Sequence, residues 1–195
     1  TTGASNTAVG YQAGYSLVEG NENTVLGYEA FDAGQEDSRC VAIGYQALTL
    51  ADVSDTGSAV NTYNTAVGYQ AGVAIDTGTK NTIIGGSAGD GISSGSQNIA
   101  IGYASDVAAA VDNQIAIGYS TVTTAQYGIA IGNDITSAGD VATIGRASNV
   151  VSTNFQSGDG SWAQSSDERK KRNIKDDSLG LSFINDLKTK TFQWK

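Results

Sequence analysis

A short apolar run that ends in glycine recurs nine times within the first 150 residues, and this repeat limits the folds open to the chain. A unit of this length cannot enclose a hydrophobic core, whereas stacked units share one. The repeat therefore predicts an all-β, parallel β-solenoid over residues 1–150. The repeat glycines, at spacings of 17, 17, 24, 17, 17, 16, 14 and 13 residues, are Gly10, Gly27, Gly44, Gly68, Gly85, Gly102, Gly118, Gly132 and Gly145.

The residues around each glycine follow one order. A β-branched residue or leucine precedes it, alanine is usual two residues before, asparagine is common four before, and tyrosine often follows. The alternation of large and small residues in Ile115-Ala116-Ile117 has the period of a strand. We expect the large residues to stack inside the coil and the alanines to form an outer face that another surface can approach closely. Glycine supplies a positive-φ corner, and asparagine can hydrogen-bond along the stack.

The segments Asn98-Ile99-Ala100-Ile101-Gly102 and Ile129-Ala130-Ile131-Gly132 resemble the head repeats of trimeric autotransporter adhesins. The resemblance covers roughly residues 4–150 and implies a left-handed β-roll that assembles as a homotrimer through the small-residue face. The longer units depart from this pattern, and we expect their extra residues, such as 19–22 and 52–63, to form loops at coil corners. Similar repeats occur in phage fibre proteins, so the repeat alone leaves both classes open.

The charge of the chain changes abruptly between residues 165 and 166. Residues 1–165 hold 15 Asp and Glu against 3 Lys and Arg, whereas residues 166–195 hold 5 against 8. Residues 151–165, rich in serine, glycine and glutamine, are predicted to be a connector. The acidic shaft disfavours nucleic acid as a partner. No apolar run approaches the length that spans a bilayer, so we predict no membrane insertion.

The basic segment carries a second motif, which begins at Ser166 and ends at Ile174. Within it, Ser166, Asp167, Arg169, Lys171, Asn173 and Ile174 resemble in order the opening signature of the endosialidase-type intramolecular chaperones of phage tail spikes and fibres. Leu187 and residues 192–195 also match that signature. The resemblance covers residues 166–195, the N-terminal part of such a domain, and implies a small α+β segment.

The same resemblance implies that the domain aligns three chains and then cuts itself off between Ser165 and Ser166. Ser166 would be the nucleophile and Lys171 the base, with a pKa lowered by desolvation or neighbouring cations. On one helix, residues five apart point roughly 140° apart. Either Ser166 therefore precedes the helix, or Lys171 comes from a neighbouring chain. The alternative is structural: Ser165 and Glu168 have the spacing of a helix capping box, and the lysines form a solvated face.

Several functions remain open from the sequence. The favoured one is a virion tail fibre, assembled in the host cytoplasm, that attaches to a cell-surface receptor, with a glycan as one candidate. The alternatives are a bacterial trimeric adhesin head and a glycan-degrading tail spike; apart from one self-cleavage, no turnover of an external substrate is expected. The repeated tyrosines either form a carbohydrate-binding ladder or pack on their neighbours over the coil surface.

No cofactor or metal site is predicted. Residues 85–92 loosely resemble a calcium-binding β-roll nonapeptide, but their glycines and Asp90 are displaced from that pattern. The single cysteine excludes an internal disulfide. Cys40 occupies the asparagine position of its unit, and we expect it to be a small buried side chain.

Overall fold

The computed structural model describes residues 3–53, 58–155 and 163–164. The chain divides into two units, Thr1–Ser165 and Ser166–Lys195, and the described residues all lie in the first. They contain no helix. Their strands stack as parallel coils and form a β-solenoid of about eight turns, which confirms the predicted solenoid. The predicted trimer and the α+β segment at residues 166–195 lie outside what the described residues contain.

Sixteen short strands make up the described structure. In chain order they are β1 (Thr7–Val9), β2 (Thr24–Leu26), β3 (Asp37–Ser38), β4 (Val41–Ile43), β5 (Val60–Asn61), β6 (Thr65–Val67), β7 (Thr82–Ile84), β8 (Ile99–Ile101), β9 (Asp106–Val107), β10 (Ile115–Tyr119), β11 (Val122–Thr123), β12 (Ile129–Asn133), β13 (Thr136–Ser137), β14 (Val141–Arg146), β15 (Asn149–Asn154) and β16 (Ala163–Gln164). Eleven of them form one sheet, in the order β1-β2-β4-β6-β7-β8-β10-β12-β14-β15-β16. Two small sheets, β13-β11-β9 and β3-β5, lie on other sides of the coils.

The repeat glycines set the register of the large sheet. Gly118 pairs with Gly132 and Gly132 with Gly145, and in the earlier coils the residues before the glycines pair in the same way. All nine glycines have a positive φ, between 125° and 153°, as predicted. A Cβ on Gly118 would also overlap the carbonyl oxygen of Gly132 in the next coil. Glycine is therefore needed for both the backbone angle and the close stacking.

The two faces of the strands are the reverse of the prediction. The alanines of the repeat, such as Ala42, Ala66 and Ala116, point inward and are fully buried. The large residues before the glycines point outward: Val9 is 57% exposed and Leu26 is 47% exposed. The reason is the narrow interior, in which bulky side chains from the turns share the core with the strands and leave room mostly for a methyl group. The small-residue face is therefore not available to another chain.

The asparagines hydrogen-bond along the stack, as predicted, and the ladder that they form runs through the interior. The Asn64 Oδ1 atom accepts a hydrogen bond of 3.0 Å from the backbone N–H of Asn81, in the next coil. The Nδ2 atom of Asn81 donates to the carbonyl oxygen of Gly95 at 2.9 Å. Each buried amide thus satisfies one backbone N–H and one backbone carbonyl of the next coil. Cys40 takes the asparagine position in its coil and is buried, which confirms the prediction for it.

The parallel stack ends at an antiparallel pair. Strand β14 pairs with β15 over six positions, from Val141↔Asn154 to Arg146↔Asn149, and β15 continues antiparallel to β16. Residues 151–154 of the predicted connector therefore belong to a strand. This reversal covers the sheet edge that the last parallel coil would otherwise leave open.

Candidate functional site

The outer face of the large sheet carries an apolar row, defined as the residues that precede the repeat glycines. The parallel register places them one above another along nine strands. Each is partly or largely exposed to solvent: Val9, Leu26, Ile43, Val67, Ile84, Ile101, Ile117, Ile131 and Ile144. A continuous exposed strip of this kind is typical of an association surface rather than of an isolated soluble chain.

Beside the apolar row lies an aromatic row, formed by the tyrosines that follow the glycines. The rings of Tyr11, Tyr28, Tyr45 and Tyr69 stack with centroids 5.1, 5.3 and 5.2 Å apart. Tyr103 and Tyr119 stack at 5.8 Å. The tyrosines therefore pack on their neighbours over the coil surface, which was one of the two alternatives drawn from the sequence. Their outer edges remain exposed, so the packing leaves the carbohydrate alternative open.

Next to the aromatic row lies a polar row, defined as the residues that stand two positions after the repeat glycines. Their backbone has a φ near +50°, although none of them is glycine. Gln70 Nε2 donates to Gln46 Oε1 at 2.9 Å, and Gln46 Nε2 donates to Glu29 Oε2 at 2.8 Å. Glu29 also hydrogen-bonds Tyr28 and raises the pKa of its hydroxyl. The aromatic and polar rows together offer flat apolar faces edged by hydrogen-bonding groups, an arrangement that suits an uncharged polar ligand.

Sequence reasoning identified the aromatic row but missed the polar one. Its signal was present, because the position two residues after the glycine is polar in the first four units: Gln12, Glu29, Gln46 and Gln70. The outward orientation of the apolar row was also missed.

A shallow groove of about 190 Å³ opens near Arg39 on another side of the coils. Arg39 Nε lies 2.8 Å from Glu22 Oε2, and Arg39 Nη1 donates to the Tyr63 hydroxyl at 2.6 Å. The guanidinium also lies 5.5 Å from the centre of the Tyr63 ring. These contacts join three successive coils. Because Glu22 and Tyr63 already pair with the Arg39 guanidinium, the groove has little positive charge left for binding an anionic ligand.

A buried polar cluster lies under the longest unit. Burial raises the pKa of Asp37 to about 6; one carboxylate oxygen accepts from Val53 N at 3.4 Å, and the other has no partner among the described residues. Cys40 Sγ lies 2.9 Å from Thr62 Oγ1, and burial raises the pKa of the thiol to about 11. The thiol is thus protonated at neutral pH and a poor nucleophile. No group of three metal-ligating side chains occurs in the described part of the chain.

The predicted cleavage residues Ser165, Ser166 and Lys171, and the motif residues Asp167, Arg169, Asn173 and Ile174, lie outside the described residues. Their roles stay predictions. Within the described ranges, no helix is long and apolar enough to cross a membrane.

Comparisons with known proteins add no relative. No protein family matches the chain, and neither a curated protein nor a solved structure is significantly similar to it. A functional interpretation therefore depends on the three outer rows and on the motif at residues 166–174.

Proposed function

We propose that the chain is part of a virion tail fibre in which three copies of a left-handed solenoid assemble side by side and attach to a host cell-surface receptor. The observation that carries this proposal is the apolar row, whose residues are partly or largely exposed on all nine strands of the stack. The motif at residues 166–174 favours a tail fibre over other trimeric solenoids, because it resembles the chaperones found at the ends of such fibres.

The apolar row gives self-association a physical basis. It repeats at the spacing of adjacent strands, about 4.8 Å, so identical chains can align their rows over a long distance. Removing each half-exposed Val, Leu or Ile side chain from water contributes roughly 1 kcal/mol. The sequence pattern suggested the alanine face for this contact. Because the alanines are buried inside the coil, the proposed interface uses the apolar row instead.

The proposal includes one self-cleavage. The Ser166 hydroxyl attacks the carbonyl carbon of Ser165, Lys171 takes the hydroxyl proton, and the bond from that carbon to the Ser166 nitrogen breaks. The proton passes to the released amine, and water hydrolyses the resulting ester. The change in charge between residues 165 and 166 supports a boundary at this bond.

The test combines the molecular mass of the folded chain in solution with the intact mass of the denatured chain. We expect an assembly of three chains and a fragment that ends at Ser165. Ser166→Ala should leave the chain uncut. A parent chain that stays monomeric at micromolar concentration would contradict the assembly. A trimer that is never cut would contradict the cleavage and favour a bacterial adhesin head, which shares the repeat.

Variants separate the apolar row from general surface hydrophobicity. Ile43→Ser combined with Ile84→Ser should shift the assembly toward monomer, because both side chains lie in the apolar row. Leu50→Ser is the matched control, since Leu50 is exposed but lies outside that row. Equal effects of the two changes would show that the row is not the interface.

A further inference from the structure

The aromatic row is interrupted once between Tyr11 and Tyr119, at Gly86. Stacking stops at Tyr69 and resumes at Tyr103. Tyr69 and Tyr103 are 56% and 61% exposed, whereas Tyr28 and Tyr45, with a ring on each side, are 44% and 42% exposed. Each ring that flanks Gly86 therefore has one bare face.

The gap is one coil wide. Tyr69 and Tyr103 follow strands β6 and β8, which are two apart in the sheet, so their backbones lie roughly 10 Å from each other. A Cβ on Gly86 would meet only the edge of the Tyr103 ring, at 3.4 and 3.7 Å. We define the Gly86 slot as the space above Gly86 between the rings of Tyr69 and Tyr103.

Nothing in the fold requires glycine at this position. Gly85, its neighbour, has a φ of 138° and lies against the carbonyl oxygen of Gly102. Gly86 has no such φ, and a Cβ there would make ordinary contacts. Six other coils carry tyrosine at the same position. The missing side chain thus leaves an opening that the backbone geometry does not demand.

The chain of side-chain hydrogen bonds in the polar row ends at Gln70, one coil before Gly86. Gln70 Nε2 is taken by Gln46, so Gln70 Oε1 is the last amide acceptor of the row. The next residue of the row is Ser87. Among the described residues, neither Gln70 Oε1 nor the Ser87 hydroxyl makes a side-chain hydrogen bond. One acceptor and one hydroxyl are therefore free beside two bare aromatic faces.

We propose that the Gly86 slot binds one pyranose ring of a neutral glycan. A pyranose ring presents C–H groups on its flat faces, which pack on aromatic rings, and hydroxyls around its edge, which can reach Gln70 and Ser87. Residues 1–165 hold 15 acidic and 3 basic residues, and this negative charge disfavours an acidic sugar. An aromatic side chain of a second copy would fill the slot but would leave the edge groups unused.

This inference rests on the attachment role proposed above and names the site and the ligand class. The probe is an immobilised array of neutral glucose, galactose and mannose oligosaccharides, with a sialylated series beside it. We expect binding to neutral members. Gly86→Tyr, which fills the slot, and Tyr69→Ala, which removes one wall, should each reduce it at least tenfold.

Tyr127→Ala is the matched control, because Tyr127 is 52% exposed, close to the 56% of Tyr69, but lies outside the aromatic row; it should leave binding unchanged. Thermal unfolding followed by circular dichroism confirms that each variant is folded. We expect Gly86→Tyr to fold, since tyrosine occupies that position in other coils.

Binding to no neutral member of the array, or binding that survives Gly86→Tyr, overturns the glycan site. A change in assembly mass with Gly86→Tyr, without loss of glycan binding, assigns the slot to contact between chains and overturns it as well. Mass and cleavage are measured separately, so a cut trimer that binds no glycan contradicts only the slot. A monomer that binds through the slot contradicts only the assembly.

Discussion

The longer coils and the last, shorter coils share one sheet but are filled differently. In the units of 17 and 24 residues, turn residues such as Phe31, Leu48 and Ile92 are fully buried and form an apolar core. In the units of 13 and 14 residues the strands lengthen to five or six residues, and hydroxyl side chains such as Thr123 and Ser137 are buried instead.

The hydroxyls of the short coils are paired inside the coil. Thr123 Oγ1 lies 3.1 Å from Gln114 Oε1, and Ser137 Oγ lies 3.0 Å from Thr143 Oγ1. A short turn has few residues for a corner that inserts a large side chain, and Ile135 is the one large apolar side chain that the two shortest units bury among their described residues. The comparison teaches that one strand register tolerates two kinds of core, one held mainly by apolar burial and one largely by hydrogen bonds.

The largest expected effect concerns the repeat glycines, which both kinds of coil share. Gly44→Ala in a long coil and Gly118→Ala in a short one should each cost about 4 kcal/mol of unfolding free energy. The added Cβ overlaps the next coil and strains the backbone. Urea unfolding of the full chain measures this, with Gly86→Ala as the control that changes little. If only Gly118→Ala is disruptive, the two classes of coil differ in their sheet as well as in their core.

Smaller losses of stability are expected from substitutions that test the difference between the apolar core of the long coils and the hydrogen-bonded core of the short coils. Leu48→Ala should lower the unfolding free energy by about 3 kcal/mol, because it leaves a cavity in an apolar core. Thr123→Val, which keeps the shape but removes a buried hydrogen bond, should cost about 1 kcal/mol. Denaturant melts of both variants give the two values. Equal losses would show that the short coils are as dependent on apolar packing as the long ones.

The 17-residue unit that precedes the longest one is an exception among the long coils, because its Asp37 is fully buried. Burial raises the pKa of this carboxyl from 3.8 to about 6, so the folded state holds the proton more tightly than the unfolded state. Stability from this group is therefore full below about pH 4 and falls as the pH rises to about 6. Asp37→Asn should raise the unfolding free energy by about 2 kcal/mol at pH 7.5 and by almost nothing at pH 4.

Unfolding at the two pH values, beside the exposed control Asp76→Asn, checks this prediction. A stabilisation of the same size at both values would mean that the carboxyl is neutral throughout. In that case the cluster would resemble the hydrogen-bonded cores of the short coils.

The spacing of the glycines was sufficient to predict the solenoid, and the repeated asparagines predicted hydrogen bonding along the stack. The direction of the faces was not predictable from alternation, since a period of two defines two faces without saying which is inside. Hydrophobicity favoured the isoleucines for the interior. The isoleucines point outward because turn residues such as Phe31 and Leu48 already fill the core. These turn residues lie outside the strands, so the alternation along the strands does not identify them.

The corners of the coil were predictable only in part. Glycine marks one of them, but every coil also turns at ordinary residues with a left-handed backbone, such as Gln97 with φ 60° and Ala104 with φ 51°. Such residues carry no signal of the conformation that stacking imposes on them. The interruption at Gly86 was visible in the sequence. Its meaning depends on ring stacking, which only the assembled coils show.

The antiparallel strand β15 has a mechanical consequence. A pull on the C-terminal side of the solenoid loads the two residue pairs between β15 and β16 and then the six pairs between β14 and β15, before any parallel coil. The last parallel coil can therefore unfold only after this antiparallel pairing, which we call the C-terminal clasp, has broken. At the other end, β1 pairs only with β2 and has no such clasp within the described residues. We therefore expect the solenoid to unfold at a lower pulling force from its N-terminal end than from its C-terminal end.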